Sequence, residues 1–150
     1  MKKVLGILAL VFLFVGCGKE KNKDSIFICE YENIEEKTHE KITGNFVSDK
    51  LEKVTNEVNI DLNDYLQYED IDSIYNRFVE TYSVYNESEG VNVSVEKEDN
   101  SIKVIMEVDY NLLDEALYDK LGIDENYKIT SSLFLKNYTD KGYSCKEKEI

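Results

Sequence analysis

Few side chains in this chain are equipped for chemistry: three cysteines, Cys17, Cys29 and Cys145, and a single histidine, His39, amid abundant carboxylates. Nucleophilic catalysis needs a base poised beside its nucleophile, and no GxSxG-like or Cys-His pattern surrounds His39, which reads as an exposed residue on a strand with charged neighbours. A phosphate-cradling glycine loop is absent, with 7 Gly in the whole chain. Acidic clusters occur at "NIDLND", where Asn59, Asp61 and Asn63 share a strand face, and at "GIDEN", with Asp124 and Glu125. Neither has the ligand set or the glycine of an EF-hand loop, so both read as solvated surface. Carboxylate pairs of the glycosidase kind are uninformative here, because acids are everywhere. The tyrosines stand out more. Tyrosine often lines binding surfaces; Tyr65 and Tyr68 lie just before an amphipathic segment and Tyr75, Tyr82 and Tyr85 within it, where helical spacing suits the last three to core packing. No catalytic residue, cofactor or metal is expected.

The cysteines divide by position. "MKK" is a short cationic start and "VLGILALVFLFV" an apolar run of twelve residues. A helix of that length rises about 18 Å, short of the roughly 30 Å hydrocarbon core, so a secretory leader fits better than a membrane span. The run ends at "FVGC", which resembles a bacterial lipobox: Val15 and Gly16 fit it, and Phe14 stands where Leu is usual. The resemblance implies that residues 1–16 are a lipoprotein signal peptide cut before Cys17. The Cys17 thiol would then carry diacylglycerol as the lipidated N-terminus, and two or more acyl chains anchor stably where one does so only marginally. "GKEKNKD" follows as a polar tether, completing residues 17–24, with Lys19, Lys21 and Lys23. With Cys17 so occupied, Cys29 and Cys145 remain. In an exported protein they are expected to form a disulfide, the alternative being two reduced, buried thiols. A metal site is disfavoured, since no other soft ligand clusters with them.

Length and charge bound the rest. With 150 residues the chain makes one domain, here residues 25–150, and 42% apolar residues with 11 Tyr and 6 Phe supply an ordinary core. The net charge is −13, and removal of Lys2 and Lys3 with the leader takes it to −15. Such a surface repels nucleic acid and anionic headgroups alike, so no nucleic-acid partner is expected and lipid, not charge, would hold the protein at the membrane.

The elements that must position these residues follow from periodicity. "SIFICEYENI" and "EKTHEKITGNFVSDK" read as two strands, the second with a patchy apolar face on which Ile42 and Phe46 share parity with Thr38, Glu40 and Gly44. Ser48-Asp49-Lys50 is a turn candidate, and "KVTNEVNIDL" a third strand with Val54, Val58, Ile60 and Leu62 on one face. "EDIDSIYNRFVETYSVYNE" changes to a period of three and four, predicting a helix of about four turns with Asp70 as N-cap. "VNVSVEKEDNSIKVIMEVDY" predicts a hairpin closed by a two-residue primed turn at Asp99-Asn100. "NLLDEALYDKLG" predicts a short helix capped by Asn111. "TSSLFLKNYTDKG" predicts a last helix, capped by Thr130 or Ser131 and stopped by Gly142, and "YSCKEK" a closing strand. The sum is an α+β domain: a single, mostly antiparallel sheet of five or six strands packed on one long helix, with two shorter helices.

The lipobox at Cys17, the first-strand cysteine in "IFICEY", the "VNVSVEKEDNSIKVIMEVDY" hairpin after one long helix and the ending "LKNYTDKGYSCK" together resemble the YehR-like family of small bacterial lipoproteins. The resemblance covers nearly all of the mature chain. It implies a compact α+β domain on a lipid anchor and brings no catalytic residue and no function. The expected role is a monomeric, non-enzymatic binding or interaction module on the extracytoplasmic face of the cell membrane, meeting a ligand, envelope component or protein partner. The alternatives are a cell-envelope hydrolase using carboxylates and a structural or immunity-type lipoprotein that occludes a partner.

Overall fold

The computed structural model describes residues 24–113 and 129–148. The expected leader, the acylation site Cys17, most of the tether, the acidic pair Asp124 and Glu125 and all but the start of the helix expected from Asn111 lie outside these residues.

Six strands form one wholly antiparallel sheet: β1 (Ser25–Asn33), β2 (Thr38–Val47), β3 (Lys50–Asp61), β4 (Val91–Lys97), β5 (Ser101–Asp109) and β6 (Ser144–Lys148), in the spatial order β4-β5-β3-β2-β1-β6. The first three strands are the expected meander. The chain then crosses through α1 (Ile71–Ser83) to the far edge, returns along β5, and closes through α2 (Ser131–Asp140) with β6 at the opposite edge. Among the described residues there are two helices, and residues 111 and 112 form a turn.

Both caps follow the sequence. Asp70 Oδ1 accepts the Ser73 N–H at 2.9 Å, a bond that holds its carboxyl below the usual carboxylate range, and Thr130 Oγ1 accepts the Leu133 N–H at 3.3 Å. Gly142 leaves α2 at φ +92°, a left-handed conformation open to glycine. Tyr75 and Tyr82 pack against the core as expected, but α1 ends at Ser83, and Tyr85, beyond it, sets its ring 6.3 Å from that of Tyr82 at a tilt of 38°.

Turn chemistry differs from expectation. Ser48 and Asp49, joining β2 to β3 between the paired residues Val47 and Lys50, have φ of 49° and 60°, so the primed two-residue turn is here. Asp49 Oδ1 accepts the Ser131 N–H at 3.0 Å, which fixes that turn against the start of α2. Asp99 and Asn100 do not adopt positive φ. Their loop instead turns its Asn100 carbonyl to the Leu62 N–H at 2.8 Å.

One face of the sheet is covered. Over β3, β4 and β5, Leu62, Ile74, Val93, Ile102 and Val104 form a core under α1. Over β1, β2 and the start of β3, Phe27, Cys29, Ile42, Phe46 and Leu51 form a second core under Phe134 of α2. Leu51 and Val54 both join this core although their parity differs, because the register shifts near Phe46 and leaves Glu52 as the extra residue of a bulge. Between the cores Asn56 keeps a buried Oδ1 with no hydrogen-bond partner among the described residues. The opposite face is polar. At its centre Glu57 takes Lys41 at 2.7 Å and Lys103 at 3.2 Å, which holds its carboxyl below the usual range.

Cys29, fully buried, and Cys145 stand directly opposite each other in the β1–β6 pair and form a disulfide. No described helix is long and apolar enough to cross a membrane.

Candidate functional site

Sheet register separates the molecule into two ends. Ser25, where the chain enters the domain, pairs with Phe46, and eight residues on, Asn33 pairs with Thr38. At about 3.3 Å per residue, roughly 26 Å separates them. The tyrosines that stood out lie at the far end.

Their loop is folded by local bonds. Asp61 Oδ1 accepts the Asn63 N–H at 2.8 Å, which starts two consecutive turns: Leu66 N–H to the Leu62 carbonyl at 3.0 Å, and Glu69 N–H to the Tyr65 carbonyl at 3.2 Å. Helical spacing then throws Tyr65 and Tyr68 to the same side, 56% and 83% exposed. Two ion pairs clamp the loop. Lys37 Nζ meets Asp64 at 2.6 Å, which raises the Lys37 pKa, and Arg77 of α1 meets Glu69 at 2.9 Å. The Lys37 carbonyl also accepts the Asp61 N–H at 3.0 Å.

Between this loop, α1 and the start of β2 lies a cleft of about 420 Å³. Ile60, Leu62, Ile74 and Phe78 line it with apolar surface, while Tyr65, Tyr68, Glu36 and the Glu69–Arg77 pair also border it. A cleft of this size with an apolar lining and few polar groups suits binding. Ile34, 82% exposed, stands on the neighbouring β1–β2 turn.

His39 is exposed on β2 and lines a separate groove of about 370 Å³ with Glu32, Lys37, Thr38, Asn59 and Asp61. Asp61 and Asn63 border a third, acidic depression with Glu98 and Asp99. Its Asp61 oxygen is spent on Asn63, and no metal-holding group of three His, Cys, Asp or Glu exists among the described residues.

A second cluster of tyrosines was not singled out from sequence. Tyr31 and Tyr138 flank Tyr143 at 5.1 and 5.2 Å between ring centres, and the Tyr143 hydroxyl donates to Glu40 Oε2 at 2.5 Å. Burial first, then the Glu40 bond, pushes the Tyr143 phenol far above its ordinary pKa, so it stays a donor and is no base. The parity of Glu40 with Ile42 was its only trace in the sequence.

No protein-family model matches the chain, and no curated protein matches it in sequence. Solved structures do. The NMR structure of the E. coli protein YehR superposes with a TM-score of 0.62 at 20% identity, covering 88% of this chain and 96% of that one. The chain has the fold of YehR. An NMR structure of a Streptococcus pneumoniae protein matches too, with a TM-score of 0.56 at 11% identity over 87% of this chain and 90% of that one. At these identities the YehR likeness speaks for the fold alone.

Proposed function

We propose that the protein is a lipid-anchored, monomeric, extracytoplasmic binding module that works without catalysis and meets its partner at the Tyr65–Tyr68 cleft. The observation that carries the reading is an apolar cleft bordered by two exposed tyrosines, held by ion pairs at the end of the sheet opposite Ser25. Tyrosine offers a large amphipathic surface at small entropic cost, which suits recognition. The lipobox at Cys17 supports the anchor, and the Cys29–Cys145 disulfide supports an oxidising compartment. Seven residues, Gly18 to Asp24, separate the anchor from β1 and span at most about 25 Å. The domain then stays close to the bilayer, entered at Ser25, with the cleft facing away.

Site-specific photocrosslinking tests this. The photoreactive residue p-benzoylphenylalanine replaces Tyr68 in the full chain in cells, with Thr43 of the polar sheet face as the control position. A discrete adduct at position 68 that Tyr65→Ser removes is expected. Equal labelling at both positions, or turnover of substrate by the purified chain in a broad hydrolase screen, would overturn the reading.

A further inference from the structure

Of the surfaces that the described residues leave open to a partner, two carry their own blocks. The β4 edge would accept an added strand, but the Asn86 side chain occupies it: its Oδ1 accepts the Val93 N–H at 2.6 Å and its Nδ2 donates to the Val93 carbonyl at 2.9 Å. The polar sheet face has its central charges spent on one another, Glu57 on Lys41 and Lys103, and Asp109 on Lys53 at 3.3 Å. The cleft end has neither block.

Its charge is one-sided. Lys37 and Arg77 are neutralised by Asp64 and Glu69. Glu36, in the cleft wall, and Glu98 and Asp99, in the depression beside it, form no ion pair among the described residues, whereas Asp61 faces Lys37. The depression adjoins the cleft directly, since the Asn100 carbonyl bonds the Leu62 N–H and Leu62 lines the cleft. Unneutralised carboxylates beside an apolar lining attract cations and repel acids, and the faces of Tyr65 and Tyr68 add the attraction of an aromatic ring for ammonium or guanidinium. The cleft has room for apolar side chains but not for a folded domain.

We infer that the cleft takes a cationic peptide segment, an apolar side chain inserted between Tyr65, Tyr68 and Phe78 with flanking Lys or Arg residues over Glu36, Glu98 and Asp99. This rests on the cleft being the binding site and names the class of partner. The charge end faces away from the anchor, so the segment arrives from the aqueous side.

Fluorescence anisotropy on the full chain in non-ionic detergent tests it with three short dye-labelled peptides: one of lysine with leucine and phenylalanine, the same with glutamate for lysine, and one of lysine with serine. The first is expected to bind, with the other two weaker by about tenfold or more, and rising salt should weaken it. Tyr65→Ser with Tyr68→Ser should cost about tenfold. Glu36→Gln with Asp99→Asn should weaken binding and flatten the salt dependence. Both pairs of residues are at the surface, so unchanged thermal midpoints verify the fold. Equal binding of the lysine and glutamate peptides overturns the inference, as does lysine-peptide binding that ignores the tyrosine variants. A position-68 crosslink obtained alongside such a result would leave the cleft as the binding site and remove only the cationic class.

Discussion

Gly44 decides how closely α2 sits on the sheet. A Cβ built there would lie 2.8 Å from Phe134 Cζ and 3.0 Å from Phe46 Cε2, well inside van der Waals contact. The rings that crowd it hold one another edge-on, Phe46 against Phe134 at 5.4 Å and Phe27 against Phe46 at 5.8 Å. Alanine is a better strand residue than glycine in isolation, so propensity and packing make opposite predictions. Packing should win: Gly44→Ala is expected to destabilise by about 1–3 kcal/mol, the usual cost of overfilling a core. Urea unfolding followed by far-UV circular dichroism reads this, and an unchanged or raised midpoint would refute the contact. The same position shows what sequence could not reveal. The β2 face looked patchy because Gly44 and Glu40 interrupt Ile42 and Phe46. The gaps are filled from elsewhere, by the Phe134 ring and the Tyr143 hydroxyl, and neighbours so distant in sequence leave no periodic signal. Tyr65 and Tyr68 were legible because they break from the helical stripe that follows them, whereas the ion pairs that set their loop join residues with no sequence pattern in common.

Alternation and period, being local, announced the elements well: six strands, α1 with its Asp70 cap and α2 with its Thr130 cap all fall close to where they were expected. Turn type was misplaced. Asp and Asn at 99–100 tolerate positive φ, yet the structure spends it on Ser48-Asp49, where Asp49 gains the Ser131 N–H. The bulge at Glu52 was equally invisible, for it depends on pairing with β2. The most consequential pairing is β6, five residues long and at an edge, joined to β1 by Cys29–Cys145. A bridge across a sequence separation of 116 restricts the unfolded chain strongly, worth about 5 kcal/mol in the loop-entropy estimate and about 2–5 kcal/mol in practice. Cys29→Ala with Cys145→Ala is expected to lose stability in that range. Hydrogen exchange should speed first at Ser144–Lys148, while amides of β3 and β5, at the middle of the sheet, stay protected. Equal urea midpoints for the variant and the parent would dismiss the staple as a stabilising element.

At the scale of the molecule the two ends of the sheet carry different residues. One end carries Ser25, the Ser48-Asp49 turn, Lys50 and the exposed Val47; the other carries the cleft, Tyr65 and Tyr68. If Cys17 is acylated, a tether of at most about 25 Å brings the first end to the bilayer, and the sheet, with about 26 Å between Ser25 and Asn33, holds the second away from it. Removal of Lys2 and Lys3 with the expected leader would take the net charge from −13 to −15, a charge that anionic headgroups repel. Two measurements on the full chain follow. Cys17→Ala is expected to move the protein from the detergent phase to the aqueous phase on cloud-point extraction, and persistence in the detergent phase would sink the acylation reading. In liposomes, a fluorophore at Val47→Cys is expected to be quenched strongly by quencher-labelled lipid headgroups and one at Tyr68→Cys weakly, both variants retaining their Cys29–Cys145 bridge. Stronger quenching at position 68 would turn the molecule over. It would place the tyrosines against the bilayer, where no soluble peptide reaches them, and the lipid surface would replace the peptide as the partner of the cleft.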